Sequence, residues 1–511
     1  MINKRIRIVG IALLVCFSLL FLQLNNIQVR QASSLSKKLQ VATEPLSEWQ
    51  LPRGAIFSAD GKLLAESVPS HDKYRWQRVY PAAYASAFSN LLGYVAASPD
   101  FATQFGLEAY YNSYLEQHSS GGVLGNHSET DDLILTVNTR LQLAAEAALE
   151  RANAPGSAVV AIDPRNGDIL AMAGFPTYNP NVFASHDLAA VAAAFKKYTS
   201  IPYYENPLSN IPTSVTRAPG STFKIITTTA IFDHHPSIAN QIFPQVPTYA
   251  FPNSGNPPIV LQNYAREVCG GDLAQALAQS CDTSFSQIGV ELGAQVLGTE
   301  ARAFGFDSRP PIDLPSTEVA ASVFPPTSVI DSTPLEGYSA IGQFDDSASP
   351  LQMALVAAAI ANNGRMMAPH LVQRIISGSG QVAYRYHPHV WRRVTSAATA
   401  AQVRQLMLGP TENPLGTAYG VFQSYYAQGF PPAAAKTGTA EPAKNVCGTY
   451  NWLVSFAPAG KGQVPRVAVA AMVPIPTSIY ACAINPTGAS IAGPVLLPVL
   501  ETALQMGSSL P

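Results

Sequence analysis

Ser221-Thr222-Phe223-Lys224, Ser280-Cys281-Asp282 and Lys436-Thr437-Gly438 follow one another along this chain. Together they hold a nucleophile, a base, a bridging hydroxyl and a second cation. A serine and a lysine three residues apart share one face of a helix. Ala218-Pro219-Gly220 sets a sharp entry, so Ser221 is expected in the first helical turn with the Lys224 amine beside its hydroxyl. The positive end of the helix and partial burial both disfavour an ammonium there. A neutral Lys224 would take the Ser221 proton as the oxygen attacks a carbonyl, which is acyl transfer through a serine ester.

Spacing alone does not single out that pair. Ser34–Lys37 and Ser70–Lys73 have it too, but without a Pro-Gly entry. The later strings add what they lack. On a strand edge, Lys436 with the hydroxyls of Thr437 and Thr439 would hold a carboxylate, and Gly438 would let a substrate backbone approach. The N–H groups of Ser221 and Thr439 would form an oxyanion hole. For the middle string, Ser254-Gly255-Asn256 also fits Ser-x-Asn, but it lies in a Pro/Gly/Asn-rich stretch read as a loop. Ser280 follows the helix expected over Leu273 to Ala278 and is preferred.

The elements that must position these residues read as an α+β fold. Leu133 to Val137 is a strand, and Thr139 with Gln142 reads as a capping box opening a helix. Ala158 to Ile162 and Ile169 to Met172 flank a Gly-containing turn and read as a hairpin. A helix-rich middle follows. Ser349-Pro350 opens a helix that stops near Gly364. Asn451 to Phe456 and Val467 to Val473 read as strands, and Val495 to Gln505 as a helix. The sheet is therefore closed by segments far apart in sequence. Upstream, Ala59-Asp60-Gly61-Lys62 reads as a turn between short strands, and Tyr80 to Ala96 as a helix.

Bulk properties set the compartment. The 511 residues allow about two to four domains. Only 13% are charged and the net charge is -2, which gives nucleic acid no footing. No metal-ligand cluster is apparent. Lys4, Arg5 and Arg7 precede an apolar run over residues 8–24, just long enough to span a bilayer. The cations would keep residues 1–7 cytoplasmic and send the rest outside. Residues 25–50 read as a polar stalk. Beyond Cys16, four cysteines permit three pairings; position along the chain favours Cys269 with Cys281 and Cys447 with Cys482.

Strings spread over nearly the whole chain after the stalk carry a specific resemblance. They include Arg53-Gly54-Ala55-Ile56, Gly106-Leu107-Glu108, Pro219-Gly220-Ser221-Thr222-Phe223-Lys224, Gln262-Asn263-Tyr264, Ile341-Gly342-Gln343 and Lys436-Thr437-Gly438-Thr439-Ala440-Glu441. The chain resembles the class B penicillin-binding proteins, which are peptidoglycan D,D-transpeptidases, and most of all their actinobacterial A-type members. The resemblance implies a serine β-lactamase/transpeptidase-like domain over 133–511, an antiparallel sheet flanked by helices. It implies a small pedestal of the dimerisation type within 25–132, with no room for a glycosyltransferase domain. Stem peptides ending in D-Ala-D-Ala would be the substrate, with no cofactor. β-Lactams would be trapped as slow acyl-enzymes, and a polytopic glycan polymerase would be the partner. Ser221 would be the nucleophile, Lys224 the base, and Ser280 the relay between Lys224 and Lys436.

Asp282 departs from the family, which has Asn there. An amide both donates and accepts, whereas a carboxylate only accepts and favours a protonated Lys224. Two other functions therefore stand beside the transpeptidase: a scaffold with weakened catalysis, and a β-lactamase or β-lactam sensor.

Overall fold

The computed structural model describes Phe17 and residues 49–96, 104–116, 118–122, 125–441, 448–475 and 487–507. The expected anchor over 8–24 lies outside these residues apart from Phe17, and so do Cys447 and Cys482. Among the described residues no helix is long and apolar enough to cross a membrane.

A five-stranded antiparallel sheet forms the centre. Its order is Ala434–Ala440, Thr449–Ala457, Val467–Ile475, Ser157–Ile162, Ile169–Phe175. Alternate residues of a strand face opposite sides, and here both sides are covered. Val159 and Ala161 join a core with Leu141, Leu149, Val495 and Val499 from the helices Thr139–Ala152 and Gly488–Gln505. Val160 and Ile162 join the other core, with Leu351 and Leu355 from the helix Pro350–Ala361. That double cover is why Ser157–Ile162 is buried throughout and reads as an unbroken apolar run. The helix Pro350–Ala361 is buried on every side, as its near-uniform apolar sequence requires. Ser349 caps it, accepting from Gln352 N at 3.2 Å.

Two local expectations fail. Thr139 and Gln142 do not form a capping box. Asn138 is the cap, accepting from Arg140 N and Leu141 N. Thr139 is drawn away by Asp60, which takes its N–H at 2.9 Å and its hydroxyl at 2.5 Å. Gln142 turns inward and bonds Ala87 O and the Met172 backbone. The segment from Tyr80 to Ala96 keeps only one helical turn, Ser89–Leu92.

A second sheet holds the N-terminal part. Its order is Val382–Arg385, Val372–Ile376, Asp132–Leu135, Ile56–Phe57, Leu63–Pro69, Trp76–Val79. It straddles residue 132 and takes two strands from far downstream. An ion cluster ties its outer segments together. The Glu108 carboxylate is fully buried and meets Arg53 Nη2 at 3.1 Å and Arg78 Nε at 2.6 Å. Tyr80 donates its hydroxyl to the same carboxylate at 3.1 Å. Burial pushes the Glu108 pKa up, but the two guanidiniums outweigh it and hold it below the usual range. The strings containing Arg53 and Glu108 are thus one structural unit. Glu108→Gln leaves two buried guanidiniums short of their counter-charge and should cost about 3–5 kcal/mol in urea unfolding at neutral pH. Because the native carboxyl is depressed, the deficit should be full above the ordinary glutamate range and shrink as pH falls through the native value.

Candidate active site

Ser221 sits in a 3-10 turn, Gly220–Phe223, and Lys224 begins the α-helix Lys224–His234. Gly220 has a φ of +53°. A Cβ there would lie 2.9 Å from Thr439 O, so only glycine lets the turn lie on the Lys436 strand. The turn is pinned from behind, where Gly220 N donates to Gly342 O at 2.9 Å. From beneath, Trp452 Nε1 donates to Ala218 O at 2.9 Å.

The middle string closes over the turn. Leu273–Ala278 is helical, with a true capping box from Asp272 and Gln275. Ser280 then takes a φ of +58°, a strained value for a residue with a side chain. Cys281 precedes the helix Asp282–Ala303, and Cys269 and Cys281 are joined by a disulfide. Asn263, buried, accepts from Thr283 N at 2.9 Å and donates to Val246 O and Glu267 O. It holds the start of the Asp282 helix against the 246–267 segment.

Lys224 is completely buried. Its Nζ donates to Asp282 Oδ1 at 2.6 Å and to Ser280 O at 2.7 Å, and Ser280 Oγ lies 3.4 Å away. Ser221 Oγ donates to Asp282 Oδ1 at 3.5 Å. The nucleophile and the lysine thus share one carboxylate oxygen. Burial lowers the Lys224 pKa, and Asp282 offsets part of that by attracting the ammonium. Lys436 is buried as well, and its Nζ donates to Ser280 Oγ at 2.7 Å and Thr437 O at 3.0 Å. Burial, then repulsion from Lys224, hold its pKa well below the ordinary lysine value. Ser280 Oγ is therefore the bridge between two desolvated amines.

The strand Ala434–Ala440 is the sheet edge, and it brings Lys436 beside Ser280. Ala435 N donates outward to Met407 O at 2.8 Å. Backbone groups alternate along a strand, so the N–H of Thr437 and Thr439 also point out from the edge. Thr437 donates its hydroxyl to Thr417 Oγ1 at 2.7 Å. Thr439 Oγ1 accepts from Gly488 N at 2.9 Å, which fixes that side chain toward the C-terminal helix. A Cβ on Gly438 would lie 2.6 Å from Pro219 O, so its bareness is also required by the contact with the nucleophile turn.

Ser254 lies in a separate loop, bonded to Phe251 O and Ile259 N, and Ser70 pairs with Asp72. Neither joins the site.

The profile of the penicillin binding protein transpeptidase domain matches residues 157–501, and that of the penicillin binding protein A dimerisation domain matches 53–130. The chain belongs to the penicillin-binding protein transpeptidases. Among the relatives of this family, peptidoglycan D,D-transpeptidase PbpA of Mycolicibacterium smegmatis is 34% identical over 518 residues, covering 99% of this chain and 100% of the relative. PbpA of Mycobacterium tuberculosis is 34% identical over 520 residues, covering 98% of this chain and 99% of its own. The penicillin G acyl-enzyme of M. tuberculosis penicillin-binding protein A superposes with a TM-score of 0.75 at 31% identity, covering 89% of this chain and 100% of that one.

In this penicillin-binding protein, sequence patterns marked Asn263 and Gly342 without a role; position against Thr283 and Gly220 supplies it. Trp452 gave no signal beyond strand propensity. Asp282→Asn removes the carboxylate at Lys224 and restores a donor. It should speed acylation of Ser221 by an activated thioester about 5- to 150-fold, the worth of roughly 1–3 kcal/mol. Losing the attraction lowers the Lys224 pKa further, so the acid limb of the rate profile should move to lower pH. Intact-protein mass spectrometry across a pH series checks both, and an unchanged or slower rate throughout would count against this role of Asp282.

Proposed function

We propose that this chain is a peptidoglycan D,D-transpeptidase that works through a Ser221 ester and is inactivated by β-lactams. The observation that carries the proposal is the contact chain Lys224–Ser280–Lys436 beside Ser221, in a chain that aligns end to end with relatives named for that activity. Neutral Lys224 takes the Ser221 proton as Oγ attacks the carbonyl between the last two D-alanines of a stem peptide. The oxyanion is held by the N–H groups of Ser221 and Thr439. Collapse breaks the C–N bond, and the proton passes through Ser280 to the departing amine. Lys436 and Thr437 hold the terminal carboxylate. An amine of a neighbouring stem then attacks the ester, forming the cross-link and freeing Ser221. A β-lactam follows the first half, but its leaving group stays tethered and the ester persists.

Residues 8–24 would anchor the chain in the membrane with its bulk on the outer face. Residues 25–132 would form the stalk and pedestal and 133–511 the catalytic domain, and the anchor and pedestal would meet a polytopic glycan polymerase. Full-length protein should fractionate with membranes and a chain starting at Trp49 should not; co-fractionation of both would refute the anchor.

Asp282 against Lys224 favours a second reading, a wall-synthesis scaffold with weakened catalysis. Labelling with a fluorescent penicillin separates the two. The wild type should label stoichiometrically and Ser221→Ala not at all. An unlabelled wild type would favour the scaffold, and an ester lost within seconds a β-lactamase.

A further inference from the structure

Residues 341–348 wrap the nucleophile turn. Gly342 O takes the Gly220 N–H at 2.9 Å, and Ala348 pairs with Arg217 through two backbone bonds of 2.8 and 3.0 Å. Gln343 Nε2 reaches Thr439 O at 3.5 Å. Ser347 pairs with Val323 through bonds of 2.7 and 2.9 Å. One short segment thus touches the turn before Ser221, the turn itself and the strand residue expected to hold the oxyanion.

In the middle of that segment lies Asp346, 2% exposed, with neither carboxylate oxygen in a well-formed hydrogen bond among the described residues. The buried Ser339 hydroxyl lies beside it, out of good hydrogen-bond geometry but near enough to favour its charged form. Buried polar atoms without partners are rare and costly, and a buried unpaired charge is far costlier. Among the described residues no cation is paired with Asp346. Asp345, on the same segment, is exposed and adds negative charge. Arg217, on the paired strand, directs its guanidinium over the rings of Tyr204 and Tyr450, at 4.6 and 5.1 Å. Glu336, on the helix that carries Ser339, is taken up by Ala294 N.

We propose that Asp346 is a positioning residue: as a neutral acid it keeps residues 341–348 folded over the Ser221 turn, and its ionisation releases them. Burial, with Asp345 adding to it, raises the Asp346 pKa well above the ordinary aspartate value. The sign follows. The folded form binds a proton that the open form releases, so closure is complete at low pH and is lost as pH rises. Past the midpoint the closed fraction falls tenfold per pH unit, as for any single proton. Gly220 then loses its carbonyl partner and acylation slows with it.

The inference rests on the acyl-transfer reading of Ser221, and its test separates the two. The rate of fluorescent-penicillin labelling is measured from pH 5 to 10 in the full chain and in Asp346→Asn, with a melting series on both. The ratio of the rates is the readout, because Lys224 and Lys436 titrate in both proteins. Asp346→Asn should lack the wild type's alkaline fall, giving a ratio that climbs up to tenfold per pH unit. Its melting temperature should match the wild type near pH 4 and exceed it increasingly above. Asp345→Asn, an exposed change, removes the charge that helps raise the Asp346 pKa, so it should make the wild-type fall smaller, and it serves if Asp346→Asn folds poorly. Parallel profiles, or an Asp345→Asn curve superimposed on the wild type's, would overturn the proposal. A wild type that labels at no pH would overturn the acyl-transfer reading instead, and the melting series would still decide Asp346.

Discussion

The site depends on backbone lying directly on backbone. The turn that carries Ser221 rests on the strand that carries Lys436, and two bare glycines, Gly220 and Gly438, are what let them touch. Everything that reacts is measured from that contact. Were the strand to stand off by the width of a methyl group, Ser280 could not reach from one lysine to the other. The fully covered sheet beneath keeps the strand from yielding. A jigsaw of side chains on both faces makes displacement costly in packing as well as in hydrogen bonds.

On that platform the protein places two buried amines beside the Asp282 carboxylate. Burial of Lys224 and Lys436 prepares both to shed protons, and the hydroxyl between them gives the proton a path. Asp282 works in the opposite direction. It lies nearer to Lys224 than any other group, and it engages Ser221 as well. The penicillin-binding protein framework is therefore intact here, while the setting of its base is altered by one atom type. The strained backbone at Ser280 and the disulfide beside it belong to the same arrangement, since both fix where the hydroxyl and the carboxylate can be.

Much of this was legible in the sequence because it is carried by short strings. Pro219-Gly220 before Ser221, the helix before Ser280 and the Ala run before Lys436 each announce a local geometry. The long apolar runs 158–162 and 467–473 announce strands covered on both sides. What was not legible depends on partners far away. The capping box at Thr139 fits the rule and is undone by Asp60, which no local pattern could foresee. Gly438 reads equally well as room for a substrate and as room for Pro219 O. Arg53 and Glu108 stand 55 positions apart, and only the fold makes them an ion pair. Asp346 is the extreme case, an acid in an Asp-Asp pair that looks like a solvated turn and is sealed from solvent.

The second sheet carries a consequence for force. Its strands come from residues 56–79, 132–135 and 372–385, so the N-terminal part is woven into the catalytic part rather than strung before it. Tension applied upstream would reach Ile56–Phe57, which runs parallel to Leu133–Ile134, and would load their hydrogen bonds in shear. Bonds sheared together resist far more than bonds unzipped one by one. From there the load passes through Asp132–Leu135 to Val372–Ile376 and into the body of the enzyme.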